Sequence, residues 1–295
     1  MISEFLRQHG EYLDNKSFRD LTTIKMGGPI RHFVMPYSCD DLKDIVGYLK
    51  ENHIPFKVIG NGSNMICGES PYDGVVISLK KLNNYEITNS ELYAEAGTMV
   101  PMLANSMAKE GLSGLEFASG IPGTLGGLVY MNAGAYKRSM SDVIEEVLVL
   151  RDNEMVWLKN PELNFSYRTS LFQEHPHWVI LAAKLKLENK NPEMIMELMN
   201  ERLQRRKNTQ PLEDHSAGSC FRNPENDFAW KMIDSIGYRG YHINDVFVSD
   251  KHSNFIVNKG NGKANEYLEI VYAIQEKVKE KYNVKLVLEV EKFNC

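Results

Sequence analysis

Two glycine-rich stretches have the residue types and spacing that most directly suggest chemistry. They are Gly60-Asn61-Gly62-Ser63-Asn64-Met65 and Ser119-Gly120-Ile121-Pro122-Gly123-Thr124-Leu125-Gly126-Gly127. Glycine has no Cβ and tolerates positive φ, so such loops let backbone N–H groups approach an anion closely. A pyrophosphate is a natural ligand, although a plain hairpin at 60–64 and a tight structural turn at 119–127 are the alternatives. Two such stretches in one half of the chain favour a bound dinucleotide.

The familiar nucleotide and metal signatures are missing from the sequence. Met65 stands where a Rossmann fingerprint has its third glycine, and neither a P-loop nor a His-Glu-x-x-His motif occurs. The four cysteines show no Cys-x-x-Cys spacing and no zinc-like interval to a histidine. We therefore expect reduced thiols and no metal site.

Composition excludes several classes of protein. A chain of 295 residues that is 43% hydrophobic and 25% charged is typical of a globular protein with two or three domains. A net charge of −5 leaves no basic excess to neutralise phosphates, so we expect no nucleic-acid partner. No apolar run is long enough for a bilayer, and residues 1–7 lack the order of a secretory signal. The sequence thus predicts no membrane insertion and a cytoplasmic location.

Hydrophobic periodicity indicates which elements must position the loops. One helix is predicted over residues 41–52, with Asp40 and Asp41 as its capping candidates. The remaining predicted elements are helices at 192–206 and 264–281, and strands at 56–59, 75–79, 147–150, 179–183 and 284–291.

Six motifs, including the two glycine-rich stretches, follow one another in an order that identifies a family. They are Thr22–Gly28, Gly60–Asn64, Gly120–Tyr136, Ser166–Ser170, Ser216–Pro224 and Val248–Asn258. In this order they resemble the UDP-N-acetylenolpyruvoylglucosamine reductase family, whose members catalyse a step of bacterial peptidoglycan precursor synthesis. The resemblance covers about residues 20–291, and the compact length is similar to the shorter form of that family.

The resemblance implies an α+β fold. A two-subdomain FAD-binding fold of the vanillyl-alcohol-oxidase type would be followed by a C-terminal α/β substrate-binding domain. The implied bounds are 1–83 for the first FAD-binding subdomain, 84–204 for the second and 205–284 for the substrate-binding domain. The final strand, 285–295, is expected to join the second FAD-binding subdomain. FAD would contact Gly60, Asn61, Gly62, Ser63, Asn64, Met65, Ser119, Gly120, Ile121, Pro122, Gly123, Thr124, Gly126, Gly127, Asn132, Ala133 and Gly134.

The implied reaction is reduction of an enolpyruvyl ether to a lactyl ether, with FAD as the cofactor and NADPH as the cosubstrate. Hydride addition to the vinyl carbon pushes electrons towards the substrate carboxylate, so the site needs positive charge and a proton donor. By the resemblance, Arg168 stabilises that charge, because its planar guanidinium suits a carboxylate. From the residues alone, a solvent-exposed arginine on a turn is the alternative.

The same resemblance identifies Ser219 as the proton donor and Glu289 as the catalytic carboxylate. Cys220 is a rival acid, because a thiol has a lower reference pKa than a hydroxyl. If this stretch is extended, only one of the two neighbours can face the substrate. Glu291 shares a strand face with Glu289, so periodicity alone leaves both open. The family pattern Leu-Glu-Pro-Glu-Val here reads Leu286–Val290 without its proline.

Three more residues match family positions that bind the sugar nucleotide, namely Tyr167, Lys207 and Asn223. Residues 244–247 depart from the small residues usual in the family, and we expect them to alter the wall of the cleft. Two other classes remain open: an FAD oxidase or dehydrogenase of the same fold, and a catalytically silent sugar-nucleotide-binding protein.

Overall fold

The computed structural model describes residues 2–295, which form eight α-helices, three short 3-10 helices and twenty strands. The helices are α1 (Ile2–His9), α2 (Phe18–Leu21), α3 (Cys39–Glu51), α4 (Val100–Lys109), α5 (Leu125–Tyr130), α6 (Pro192–Thr209), α7 (Ala229–Ser235) and α8 (Ala264–Tyr282). The first ten strands are β1 (Gly10–Leu13), β2 (Lys16–Ser17), β3 (Pro29–Pro36), β4 (Phe56–Ile59), β5 (Met65–Cys67), β6 (Tyr72–Ser78), β7 (Tyr85–Thr88), β8 (Glu91–Glu95), β9 (Leu112–Ser113) and β10 (Gly134–Ala135). The others are β11 (Arg138–Ser139), β12 (Ile144–Arg151), β13 (Glu154–Lys159), β14 (Val179–Lys186), β15 (Glu188–Asn189), β16 (His215–Ser219), β17 (His242–Ile243), β18 (Val246–Val248), β19 (Phe255–Asn258) and β20 (Glu291–Phe293).

The chain divides into two compact units, each assembled from segments that are distant in sequence. Unit 1 contains residues 2–14, 32–61 and 73–204, and unit 2 contains residues 15–31, 62–72 and 205–295. Each unit has its own cluster of buried apolar side chains. The predicted three-domain division at 83/84 and 204/205 stays a prediction.

Unit 1 is built on two sheets. The strands of one follow the order β1-β3-β6-β4, and β4 and β6 run parallel. The other is antiparallel with the order β13-β12-β14-β8-β7. The central strand β14 carries five consecutive buried residues, Val179–Ala183, as expected for a strand covered on both faces. This sheet and α4 support the loop that leads into α5.

Unit 2 is built on the antiparallel sheet β16-β19-β18-β17 and helix α8. Helix α8 buries Tyr267, Ile270, Val271, Ile274 and Val278, a spacing that places one apolar stripe against the core. Strand β20 pairs in parallel with β5, with Glu291 opposite Met65. This arrangement brings residues 62–72 and the end of the chain into one unit.

Most of the predicted elements are confirmed, and three details are wrong. The cap of α3 is Ser38, whose hydroxyl accepts from the Asp41 N–H, so Asp40 and Asp41 lie inside the helix. The predicted strand 284–291 is irregular until Glu291, with one isolated bridge at Leu288. The final strand pairs with β5, which lies outside residues 84–204 to which it was predicted to return.

Candidate active site

The two glycine-rich loops meet within unit 1. A Cβ added at Gly60 would lie 2.4 Å from the Thr124 Oγ1 atom, so only glycine fits there. The Asn61 side chain donates a 2.8 Å hydrogen bond to the Pro122 carbonyl, which fixes one loop on the other. The sequence predicted both loops, and the structure brings 60–61 and 119–127 together.

The second loop continues into α5, where two adjacent glycines have different surroundings. A Cβ at Gly126 would lie 2.9 Å from the Cβ of Ala96, whereas a Cβ at Gly127 would meet nothing nearer than 3.6 Å. Gly127 is exposed. Packing inside the protein therefore explains Gly126 and leaves Gly127 unexplained. An exposed glycine beside a glycine-rich loop is suited to close approach by a ligand.

Glu116 lies just before this loop and its backbone carbonyl accepts a hydrogen bond from the Ser119 hydroxyl. It was not among the predicted site residues. Its nearly buried carboxylate accepts hydrogen bonds from the Ser113 hydroxyl (2.6 Å) and the Gly114 N–H (2.9 Å). Burial alone raises the pKa of Glu116, but these bonds and the charge of Lys190 outweigh burial and lower the pKa. A glutamate between apolar neighbours just before a glycine-rich loop was the available signal.

Arg168 lies on a tight turn of unit 1. Ser166 and Thr169 exchange two backbone hydrogen bonds, both 3.1 Å long, and Arg168 between them has a φ of 56°. This is the left-handed region, which a non-glycine residue rarely occupies outside strained or functional positions. The two backbone bonds and this conformation define the turn that carries Arg168.

The turn of Arg168 is tied to the predicted cofactor segment 132–134. The half-buried Arg168 guanidinium donates a 2.7 Å hydrogen bond to the Gly134 carbonyl. The buried Asn132 donates from its side chain to the Ser166 carbonyl at 2.8 Å. Tyr167 is 53% exposed, with its ring 5.1 Å from the Arg168 guanidinium carbon. The structure thus anchors Arg168 instead of leaving it on a solvated turn.

The remaining cofactor-loop residues belong to unit 2. Gly62 has a φ of 62°, and a Cβ there would lie 2.3 Å from the Leu21 carbonyl oxygen. The Gly62 carbonyl accepts from the Thr23 N–H, and the Thr23 hydroxyl donates to the Ser216 carbonyl at 2.6 Å. The loop is therefore packed against the strand that ends at Ser219.

Ser219 is positioned by a β-bulge. Strand β16 pairs with β19, but the register shifts between Ser216 and Ser219, and Gly218 has a φ of 78°. Ser219 is half-exposed, whereas Cys220 is completely buried. Burial raises the pKa of the Cys220 thiol to about 12. Of the two neighbours, only Ser219 is therefore open to a ligand.

Glu289 lies opposite Cys220, the residue that follows Ser219, in unit 2. The Glu289 N–H donates to the Cys220 carbonyl at 2.8 Å, and Arg222 donates to Val287 at 2.9 Å, so the two segments run antiparallel. The Asn64 side chain donates to the Glu289 carbonyl at 3.2 Å. Glu291 has a different backbone partner, the Asn64 carbonyl. The segment that follows Ser219 is therefore hydrogen-bonded to Glu289, whereas Glu291 is bonded to the 62–65 loop.

The two other predicted substrate residues of unit 2 are exposed. Lys207 lies in the last turn of α6, and its carbonyl accepts a hydrogen bond from the Lys251 ammonium group. Asn223 accepts from the Ala229 N–H at 3.1 Å, which caps the start of α7. Lys207 is therefore an exposed residue at the end of α6, and Asn223 is an exposed residue in the loop before α7.

Residues 244–247, where the chain departs from the family pattern, stabilise the loop before α8. Asn244 donates to the Glu266 carboxylate at 2.6 Å, and the Asp245 carboxylate accepts from the Asn261 N–H at 2.7 Å. Their observed contacts are structural, and the predicted effect on a cleft wall stays a prediction.

Within residues 2–295, no three His, Cys, Asp or Glu side chains are grouped so that they could hold a metal ion. Over the same residues, no helix has both the length and the apolar character needed to cross a membrane.

Comparison with known families and structures agrees with this arrangement. Residues 30–158 match the family described as FAD binding domain, and residues 210–293 match the C-terminal domain of UDP-N-acetylenolpyruvoylglucosamine reductase. A reductase of that name from Caldanaerobacter subterraneus is 43% identical over 98% of this chain and 96% of its own length. One from Bacillus subtilis is 40% identical over 97% of this chain and 95% of its own length.

Solved structures support the same conclusion. The crystal structure of UDP-N-acetylenolpyruvylglucosamine reductase from Thermus caldophilus has a TM-score of 0.82 and 33% identity, and the match covers 96% of this chain and 98% of that one. The fold and the FAD-binding match define an FAD-dependent oxidoreductase of the predicted α+β class. More narrowly, the chain belongs to the UDP-N-acetylenolpyruvoylglucosamine reductase family. The predicted family, fold class and cofactor FAD are confirmed.

Proposed function

We propose that this chain reduces UDP-N-acetylenolpyruvoylglucosamine to UDP-N-acetylmuramate, with NADPH as the electron donor, in peptidoglycan precursor synthesis. The observation that carries the proposal is the antiparallel pairing of 220–222 with 287–289 in a chain of this family, because it joins the segment that follows Ser219 to the segment of Glu289. A proton donor and a carboxylate on neighbouring segments suit the second half of this reduction.

The residues of both glycine-rich loops fit FAD. The crowded Gly60 and Gly62 let the first loop pack closely against its neighbours, and the exposed Gly127 leaves room for close approach of a ligand. We assign FAD binding to residues 60–61, 119–127 and 132–134 of unit 1 and to residues 62–65 of unit 2. When bound, FAD supplies the hydride that it has received from NADPH.

Arg168 has the task of stabilising negative charge. Hydride addition at the vinyl carbon moves electron density into the substrate carboxylate, and a fixed guanidinium favours that charge without reorganising. The bond to Gly134 uses one of its five N–H groups and fixes the plane of the fork. A positioned arginine is more effective than a mobile one because its ordering cost is met during folding.

Ser219 has the task of delivering the proton to the carbon next to the one that accepts hydride. This proton completes the lactyl ether, since one hydride and one proton together saturate the double bond. Glu289 polarises the same reacting group from the neighbouring segment. Lys207, Asn223 and Tyr167 bind the sugar nucleotide, with Lys207 pairing with its diphosphate.

The test is NADPH oxidation by the purified protein with and without the enolpyruvyl sugar nucleotide. UDP-N-acetylglucosamine, which lacks the enolpyruvyl group, is the matched control ligand. We expect substrate-dependent loss of NADPH absorbance and a product heavier by two hydrogen atoms in mass spectrometry. A yellow protein that consumes NADPH but returns the enolpyruvyl compound unchanged would indicate another FAD-dependent reaction. A protein that binds the sugar nucleotide without consuming NADPH would indicate a silent binding protein.

A further inference from the structure

Asn254 is a buried residue of unit 2 that makes three hydrogen bonds to the segment following Ser219, two from its side chain and one from its backbone. Its amide donates to the Phe221 carbonyl at 2.8 Å, and its side-chain oxygen accepts from the Phe221 N–H at 2.9 Å. Its own backbone carbonyl accepts from the Cys220 N–H at 2.7 Å. Asn254 is 3% exposed, so these bonds form away from water.

Residues 220–222 have a paired backbone segment on one side only, and Asn254 supplies the hydrogen bonds on the other side. The paired segment is 287–289, which is joined to residues 220–222 by backbone bonds. In that antiparallel pairing the Phe221 N–H and carbonyl point the opposite way, and the Asn254 amide satisfies both. The Asn254 carboxamide thus makes the two hydrogen bonds that the peptide group of a neighbouring strand would make, because both present one donor and one acceptor.

The register of this segment is weakly specified by the sheet alone. The pairing of β16 with β19 is already interrupted between Ser216 and Ser219, and Gly218 in the left-handed region adds freedom at the same point. A slip by one residue would exchange the half-exposed Ser219 for the buried Cys220. Asn254 contacts both residues that follow Ser219, so it opposes such a slip directly.

We propose that Asn254 is a positioning residue for the reduction, and that it acts by holding Ser219, and through Cys220 also Glu289, in the productive register. The proposal rests on the proposed function, which gives Ser219 and Glu289 their chemical roles. Asn254 itself touches neither substrate nor cofactor in this assignment.

The test compares Asn254→Asp and Asn254→Leu, each alone and combined with Ser219→Ala. Asn254→Asp keeps the acceptor towards Phe221 and loses the donor, whereas Asn254→Leu keeps a similar volume and loses both. Stopped-flow mixing of the NADPH-reduced enzyme with the enolpyruvyl substrate isolates the half-reaction that needs the proton. We expect each single variant to slow that half-reaction on the order of 10–10²-fold, with reduction by NADPH and FAD content unchanged.

The double variants separate positioning from general support of the fold. If Asn254 acts through Ser219, Asn254→Asp should cost little further rate once Ser219→Ala has removed the hydroxyl. Asn258 provides the matched control, because it is equally buried four residues further along, at the end of β19, but bonds to Ile24, Lys25 and the 260–262 loop. Asn258→Leu should lower thermal stability and leave the ratio of the two half-reaction rates unchanged.

A second measurement keeps the proposal testable if Asn254→Leu folds poorly. Alkylation of Cys220 in folded Asn254→Asp should be faster than in the parent protein, because the slipped register exposes that thiol. Asn254 variants whose losses multiply with that of Ser219→Ala, or that slow both half-reactions equally, overturn the proposal and leave the proposed function standing. A Ser219→Ala enzyme that is reoxidised normally overturns the proposed proton donor and this inference with it.

Discussion

Replacing Ser219 with alanine removes one hydroxyl from a half-exposed position at the end of β16 and leaves every backbone bond of the bulge in place. The variant should therefore be nearly as stable as the parent, within about 0.5 kcal/mol, as for surface substitutions generally. Its effect should fall on one half-reaction. Reduction by NADPH needs no proton from Ser219 and should keep its rate. Reoxidation by the enolpyruvyl substrate should slow by roughly 10²–10⁴-fold, the range for a lost general acid.

Cys220→Ala is the control at the next residue, and the structure predicts the opposite pattern. The thiol is completely buried against the hydroxyl of Tyr267, which is also completely buried. Removing the sulfur leaves a small cavity and deprives that hydroxyl of a neighbour, at a cost of about 1–3 kcal/mol. Because this thiol is completely buried, it does not reach a substrate and contributes no acid chemistry. Both half-reactions should stay largely intact.

Stopped-flow absorbance of each half-reaction, with thermal unfolding of both variants, distinguishes the two patterns. Ser219→Ala should lose rate and keep its melting temperature, and Cys220→Ala should lose melting temperature and keep its rate. The reverse result, normal reoxidation in Ser219→Ala and slow reoxidation in Cys220→Ala, would mean that the active-site register is wrong by one residue.

Three further predictions concern the cofactor loop, pH and kinetic order. Gly127→Ala should weaken FAD binding, measured by flavin fluorescence, without lowering stability, because the protein leaves space for the methyl group; unchanged FAD affinity would argue against ligand contact there. The lowered pKa of Glu116 contributes stability above the pKa of the unfolded chain and loses it as pH falls through the folded value. Glu116→Gln should therefore lower the melting temperature most near neutral pH, and the difference from the parent should shrink towards about pH 3. If NADPH and the enolpyruvyl group use the same face of the flavin in turn, initial-rate plots should give parallel lines at low substrate, and intersecting lines would contradict this order.

Local pattern was sufficient for most elements and for the cofactor loops. Helix α8 was predicted at 264–281 and is found at Ala264–Tyr282, because its apolar residues repeat with a helical period. The loop at 60–64 was also predicted, because close packing requires glycine at positions 60 and 62 and these glycines mark the loop in the sequence. Both signals depend on residues close together in the chain.

The features that sequence patterns missed depend on contacts between distant segments. Asn254 reaches Phe221 across 33 positions, and a single asparagine between loop and strand gives no periodic signal. Strand β20 pairs with β5 although more than 200 residues separate them. The residues before Glu291 are irregular, so no alternation of apolar and polar residues indicates where β20 begins. The resemblance to a family identified Ser219 and Glu289, but only the structure showed that their segments are hydrogen-bonded neighbours.

The discontinuous composition of unit 2 has a consequence for how the chain must fold during synthesis. Ile24, Met26 and Ile66 are completely buried in unit 2, but most of their partners lie beyond residue 205. About 130 residues separate Tyr72 from Arg205, so at usual translation rates these side chains emerge on the order of 10 s before their partners. During that interval all segments of unit 1 become available, so unit 1 can fold first. The early segments of unit 2 must wait with apolar surface uncovered, which makes this interval the period when the nascent chain most needs a chaperone.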